Sequence, residues 1–443
     1  MAHLSSDTVQ ENPEASPAAI YHNKHFMLLW LAQAVSQTAQ NAIWFGLLVI
    51  VEQYTRSSAQ MGYAILTTIL PSILLGMAAG VFVDRLSKKS VLVWTNVLRA
   101  FVVLGYLLYE QSLVLVYLVN FASSTVTQFF GPAEAAKIPQ LVPKRQLLSA
   151  NSLFNLTYNG AQLAGMVLIA PPVVKFFGPP VLFLLAAGFF VLAALLVLQL
   201  PHDLPARGLR GLDKSEVASS VWHDVVEGWR FIRADRRTSL AMLHLTMASA
   251  LMLMVAMLAP RYVVAALGIR PDDAVYVLAP AGVGVLVGTT SMGHLARRMT
   301  KERLVSLGLV TLGVLMWPLA LVNRLGEYVI APALGRPDIP GGATVVPLVM
   351  LIAAIMGVAL ALVIVPSQTI LMERAPASTR GRIFAVQIVL GHVASILPLL
   401  FVGQLADLFG INRVIAGLSV AIASIWFVST DAFAARLARA RRR

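Results

Sequence analysis

The chain contains no cysteine. That excludes a disulfide framework and thiol chemistry, and says nothing of compartment. Charge is scarce as well: Asp, Glu, Lys and Arg make up 12% of 443 residues, about half the ~25% of ordinary soluble chains. Acids are scarcest, 21 against 34 Lys and Arg, for a net charge of +13. No glycine-rich phosphate loop is present, so ATP does not drive the protein directly. No Cys/His cluster has zinc spacing, and no Ser, His and acid stand in a nucleophile–base arrangement. An enzyme is not expected, nor a cofactor or a metal site. Residues 1–20 lack the basic start and short apolar core of a cleaved signal, and read as part of a flexible tail.

What the chain has in abundance is apolar surface, 58% of its residues. It comes in runs of roughly 20 residues, the length that crosses a bilayer as a helix. The expected architecture is an all-α membrane protein of twelve transmembrane helices in two six-helix bundles. The expected limits are a tail over 1–21, a first bundle over 22–200, a linker over 201–238, a second bundle over 239–434 and a basic tail over 435–443. Of the 34 Lys and Arg, 26 fall on the side that carries both termini and seven on the other. That asymmetry places both termini in the cytoplasm of a multi-pass plasma or inner membrane protein. It also assigns the basic excess to topology, so no nucleic-acid partner is expected. Within the linker, Trp222, Val225, Val226, Trp229 and Ile232 recur at helical spacing, the pattern of an amphipathic helix at the membrane interface, with a helix that docks a partner protein as the alternative.

The connection between the second and third runs reads Gly80-Val-Phe-Val-Asp84-Arg85-Leu-Ser-Lys88-Lys89. A weaker copy, Gly293, Arg297, Arg298 and Lys301, follows at one constant offset of 213 residues. This motif resembles the loop between helices 2 and 3 of major facilitator superfamily transporters. The resemblance implies two related halves with a substrate site between them near the midplane, and alternating access by rocking of one half against the other. It also implies gating braces at Gly80, Asp84, Arg85, Lys88, Arg297 and Arg298, and at Arg380 and Arg382 before helix 11. Asp84 would accept from a helix N-terminus of the other half. Arg85 and Lys88 would anchor to headgroups or carboxylates.

Further stretches resemble the drug and macrolide efflux branch of that superfamily. They are Asn23-Lys24-x-Phe26-x-Leu28-Leu29-Trp30-x-x-Gln33, Pro132-Ala133 with Ile138-Pro139-x-Leu141-Val142-Pro143, and Thr379-Arg380-Gly381-Arg382-Ile383-Phe384. Bacterial lysophospholipid flippases share a similar Phe-x-Pro-Ala segment after helix 4. The chain departs from the efflux pattern in three places. Gln40 or Asn41 stands where helix 1 of that branch carries an acid, Asn96 stands where one precedes Arg99, and Gly165-Met-Val-Leu-Ile-Ala170 replaces a Gly-Pro-x-x-Gly-Gly segment.

Polar residues inside spans are costly and mark pathways or partners. Trp30, Gln33, Gln37, Gln40, Asn41 and Trp44 share one face of helix 1. Asn120, Thr127 and Gln128 do so on helix 4, and Asn155, Tyr158 and Gln162 on helix 5. With Met254 and Gln387 from the second half, these are the candidate substrate cavity, suited to an amphipathic organic molecule or a lipid. Hydrogen bonding between helices is the competing reading of the same stripes. Arg99, Glu134, Glu52, His244 and His392 are the candidates for coupling to protons, with Glu134 as the expected partner of Arg99. Three functions stay open: proton-linked export of a small molecule, lipid flipping or facilitation, and a non-transporting assembly role. The protein is expected to act as a monomer among membrane lipids.

Overall fold

A computed structural model describes residues 17–203, 226, 230, 236–330, 341–374 and 380–429. The expected amphipathic helix of the linker lies outside the described residues. Every described element is helical. A short 3-10 turn, Pro17–His22, leads into the first six spans: α1 (Lys24–Thr55), α2 (Ser58–Arg85), α3 (Lys88–Val103, extended by a 3-10 turn to Leu108), α4 (Leu113–Leu141), a composite α5 and α6 (Pro179–Leu198). Composite α5 joins Leu147–Leu163, π-helical Ala164–Ile169 and Ala170–Phe177. The second six are α7 (Arg236–Leu267), α8 (Ala274–Arg298), α9 (Lys301–Ala320), α10 (Gly341–Arg374), α11 (Arg380–Phe409) and α12 (Ile411–Ser429). Eleven of these are long and apolar enough to cross a membrane; the apolar stretch Ile411–Phe427 of α12 is shorter. Among the described residues, eleven helices thus have full spanning character where twelve spans are expected.

Side-chain caps start several spans. The Asn23, Ser57, Ser87 and Thr300 side chains accept from backbone amides in the first turns of α1, α2, α3 and α9, satisfying donors a helix leaves open at its start. Sequence reading ends helix 4 near 132, where Pro132 follows Gly131. In the structure α4 continues through Pro132 and Pro139 to Leu141. Each proline removes one helical hydrogen bond, but Phe130, Ala133 and Ile138 are buried there and hold the last turns in place. Glu134 and Lys137 therefore sit on a helix face, not in a connection.

Close helix approach is set by glycine. A Cβ on Gly165 would lie 2.4 Å from the Thr38 carbonyl of α1. The π segment of α5 begins at that contact and re-aims the helix around α1. In the second half, Cβ atoms on Gly284 and Gly357 would each strike the other helix's backbone, at 1.9 and 2.0 Å. Those glycines bring α8 and α10 into backbone contact.

Candidate functional site

The face carrying the basic connections is called inner here, the opposite face outer. Polar contacts between the two halves begin at the outer face. Asp407 on α11 accepts from Ser57 Oγ at 2.6 Å, from the Ser58 amide at 2.7 Å and from the Ala59 amide at 3.0 Å, so a carboxylate of one half caps the α2 N-terminus of the other. Arg261 on α7 pairs with Glu52 on α1 at 3.4 Å. Lys175 pairs with Asp273 at 2.8 Å, and the Gln404 amide donates to the Tyr63 hydroxyl at 3.2 Å. A Cβ on Gly403 would meet the Ser58 carbonyl at 2.7 Å, and one on Gly62 the Leu399 carbonyl at 2.5 Å, so α2 and α11 touch backbone to backbone along this seam. A cleft of about 600 Å³ beside it is lined by Arg56, Arg261, Arg413, Asn323, Asn412 and Asp407.

Among the described residues, the innermost cross-half bond joins Ser72 Oγ to His392 Nδ1 at 2.7 Å, halfway along both helices. Inward of it, among the described residues, the polar contacts stay within one half. In the first half, Asp203 accepts from the Lys88 amide at 2.6 Å, the Lys89 amide at 3.1 Å and Ser87 Oγ at 3.0 Å, and lies 3.4 Å from Lys137 Nζ. Burial pushes this carboxyl up. The amides of Lys89 and Lys88, the Lys137 ammonium and the Ser87 hydroxyl outweigh it and hold the group below the usual carboxylate range. In the second half, Lys301 pairs with Glu373 and Arg237 with Glu302. Among the described residues, the polar contacts between the halves thus lie from the outer face to mid-depth.

Gln37, Gln40 and Asn41 on α1 and Thr127 and Gln128 on α4 are half-buried, Asn155, Tyr158, Asn159 and Gln162 on α5 are exposed, and Thr127 Oγ1 lies 3.5 Å from Gln40 Oε1, joining the stripes of α1 and α4. Trp30 Nε1 donates to Thr157 Oγ1 at 2.6 Å, tying α1 to α5. Trp44 is half-buried and packs on the main core. Several other expected lining residues are elsewhere. Asn120 is a buried knot: its amide donates to Ala64 O, Thr67 Oγ1 and Thr68 Oγ1, and its oxygen accepts from Tyr106. It is the interhelical bond that the competing reading anticipates. Gln33, Met254 and Gln387 are buried. Met254 belongs to the core because α7 packs against both α10 and α11.

Arg99 is 1% exposed. Its guanidinium stacks between Phe130 at 4.2 Å and Phe190 at 4.8 Å, and donates to Thr95 O and Asn96 Oδ1, both at 3.3 Å. Ser36 Oγ shares the Asn96 oxygen. Glu134, 8% exposed, is near enough to attract Arg99 electrostatically, but no ion-pair contact forms between them, and Glu134 Oε1 has no partner among the described residues. The two side chains expected to pair are thus neighbours without contact. Glu52 instead belongs to the outer seam. His244 is buried with Nε2 unpartnered among the described residues.

The gate-loop residues divide. Asp84 is exposed, Gly80 and Arg85 are half-exposed, and a Cβ on Gly80 would meet nothing within 4 Å. Lys88 corrects the expectation of a headgroup anchor. It is buried, and its ammonium donates to Val83 O, Asp84 O and Leu86 O, capping the carbonyl end of α2. Arg297 and Arg298 are exposed at the end of α8. The side chains of Arg380 and Arg382 lie outside the described residues. Sequence reading misses Asp203 and Asp407, the carboxylates that do most of the bracing. The signal for Asp203 is an isolated acid just after a span and beside a lysine-rich loop. Asp407 near a helix end had no such signal.

The family model described as Major Facilitator Superfamily matches residues 29–397. The Uncharacterized MFS-type transporter YfiS of Bacillus subtilis is 25% identical over 399 residues, 88% of this chain and 89% of that protein. The Multidrug efflux pump Tap of Mycolicibacterium fortuitum is 24% identical over 412 residues, 89% and 92% of the two chains. Among solved structures, a bacterial homolog to human lysosomal transporter Spinster, in an inward-facing and unoccupied conformation, superposes with a TM-score of 0.69 at 12% identity over 92% of this chain and 97% of that one.

Proposed function

Because the chain belongs to the Major Facilitator Superfamily, whose members are transporters, we propose that it exports an amphipathic small organic molecule by alternating access, in exchange for protons. The observation that carries this reading is the distribution of contacts between the halves. Cross-half bonds run from the outer face to Ser72–His392, and half-buried or exposed amides stand on three helices, α1, α4 and α5. Such an arrangement suits loading from the inner side. A multidrug efflux pump among the relatives supports the direction, and the basic excess of the inner connections supports placing that side in the cytoplasm. Asp84, exposed here, is the brace that engages the second half when the inner side closes. Glu134 beside Arg99 is the proton-carrying group, a buried carboxyl with an open oxygen.

The test is substrate-dependent proton movement in vesicles holding the purified protein and an internal pH dye, with amphipathic compounds and lysophospholipids supplied in parallel. Proton movement tied to a small molecule is the expected result. Lysophospholipid transfer without a proton signal would favour flipping and overturn the reading.

A further inference from the structure

Lys and Arg are few on the outer face, seven of 34. Three of the seven, Arg56, Arg261 and Arg413, line a single cleft of about 600 Å³. Topology draws basic residues to the other side, so it does not account for this convergence. The three come from separate parts of the chain: Arg56 from the turn between α1 and α2 in the first half, Arg261 from α7 and Arg413 from α12 in the second. The volume lies within the ~300–1,000 Å³ of small-ligand sites.

The backbone is shaped to present these groups. Arg56 has φ 47° and ψ 35° and is the only non-glycine residue at positive φ among the described residues. That left-handed conformation costs a residue with a Cβ about 1–2 kcal/mol, and glycine usually fills it at helix ends. Here an arginine is kept at the edge of the cleft despite the strain. On the other half, Gly410 at φ 88° turns the chain from α11 into α12. Ile411, Asn412 and Arg413 of the first turn then line the cleft, and first-turn amides have no acceptor within their own helix. The positive end of α12 adds to the three guanidiniums.

Two carboxylates stand close by, and each is engaged. Glu52 is 1% exposed and pairs with Arg261. Asp407 accepts from Ser57 Oγ and from the Ser58 and Ala59 amides. Among the described residues, Glu52 takes one N–H of Arg261 and Phe409 O one N–H of Arg413. A guanidinium carries five, so both arginines keep donors for a further acceptor. Arginine recognises phosphate through paired N–H bonds.

We infer that the outer cleft binds a phosphate group, held by Arg56 of the first half and by Arg261 and Arg413 of the second. Such a ligand bridges the halves and stabilises the closed outer seam. Free phosphate and the headgroup of an anionic phospholipid present this same chemistry. The site does not rest on the proposed transport activity.

The experiment uses the purified full chain in neutral detergent. Binding of radiolabelled inorganic phosphate is measured at equilibrium, and retention of phosphatidylglycerol against phosphatidylcholine by native mass spectrometry. Saturable phosphate binding, weakened about tenfold or more in Arg56→Gln and in Arg413→Gln, is expected for a free-phosphate site. Preferential retention of phosphatidylglycerol, lost in the same variants and without phosphate binding, assigns the site to a headgroup. Arg413 is exposed, so its variant keeps the fold and decides the matter where Arg56→Gln does not. Arg324→Gln removes an exposed outer charge that does not line the cleft and is expected to bind as wild type does. Neither probe bound better by wild type than by Arg413→Gln, or an equal loss in Arg324→Gln, overturns the inference.

Discussion

Arg99 is a charge placed where charge is expensive, and its surroundings compensate it incompletely. Two ring faces and two long hydrogen bonds hold the guanidinium, and the one nearby carboxylate, Glu134, stands off from contact. Glu134→Gln orphans the cation. The expected cost is about 3 kcal/mol, the low end for breaking a buried pair, since the pair does not touch. Asn96→Asp should recover most of that loss in the Glu134→Gln background, because the Asn96 oxygen already lies 3.3 Å from the guanidinium. Thermal unfolding of the four variants of this cycle checks both statements. An unchanged midpoint for Glu134→Gln would show that the rings alone carry the cation.

At the scale of elements, one carboxylate ties three helices. Asp203, just beyond α6, takes two first-turn amides of α3 and the ammonium of Lys137 on α4. Lys89 and Lys137 return the tie by donating to Leu200 O and Pro201 O. Asp203→Asn should cost about 1 kcal/mol, as for loss of a helix cap. The folded carboxyl is held below its unfolded value, so its contribution is complete above the unfolded value, about 3.9, and fades as pH falls through the lower folded one. Unfolding midpoints of wild type and Asp203→Asn should therefore differ by a constant amount at neutral pH and converge in strong acid. A difference that persists at pH 2 would assign the loss to packing.

At the scale of the molecule, the polar contacts between the halves, among the described residues, run from the outer face to Ser72–His392. The absence of native cysteine makes this directly measurable with introduced thiols. Tyr63→Cys with Gln404→Cys, at side chains 3.2 Å apart, should link through a short bifunctional thiol reagent. Linkage should trap the inward-open form, leaving Asn155→Cys and Gln162→Cys reactive to impermeant maleimide from the inner side only. Labelling of those positions from the outer side in the linked protein would contradict the closed seam.

The apolar runs and the bias of Lys and Arg determined the class, the helix order and the expected orientation, because insertion into a bilayer responds to local length, hydropathy and charge. The amide stripes were legible for the same reason: a helix puts every third or fourth residue on one face whatever it packs against. Which stripe faces a cavity depends on the neighbouring helix, and only the tertiary structure decided that. It turned Asn120 into a knot with α2 and left Gln37 and Gln128 half-buried and Asn159 exposed. It also decided that Lys88 caps α2, that α4 runs through its prolines, and that Asp203 and Asp407 brace opposite faces. The α3 amides that Asp203 takes lie more than 100 residues away and the α2 groups that Asp407 takes more than 300, and a local pattern does not say which distant helix a carboxylate will meet.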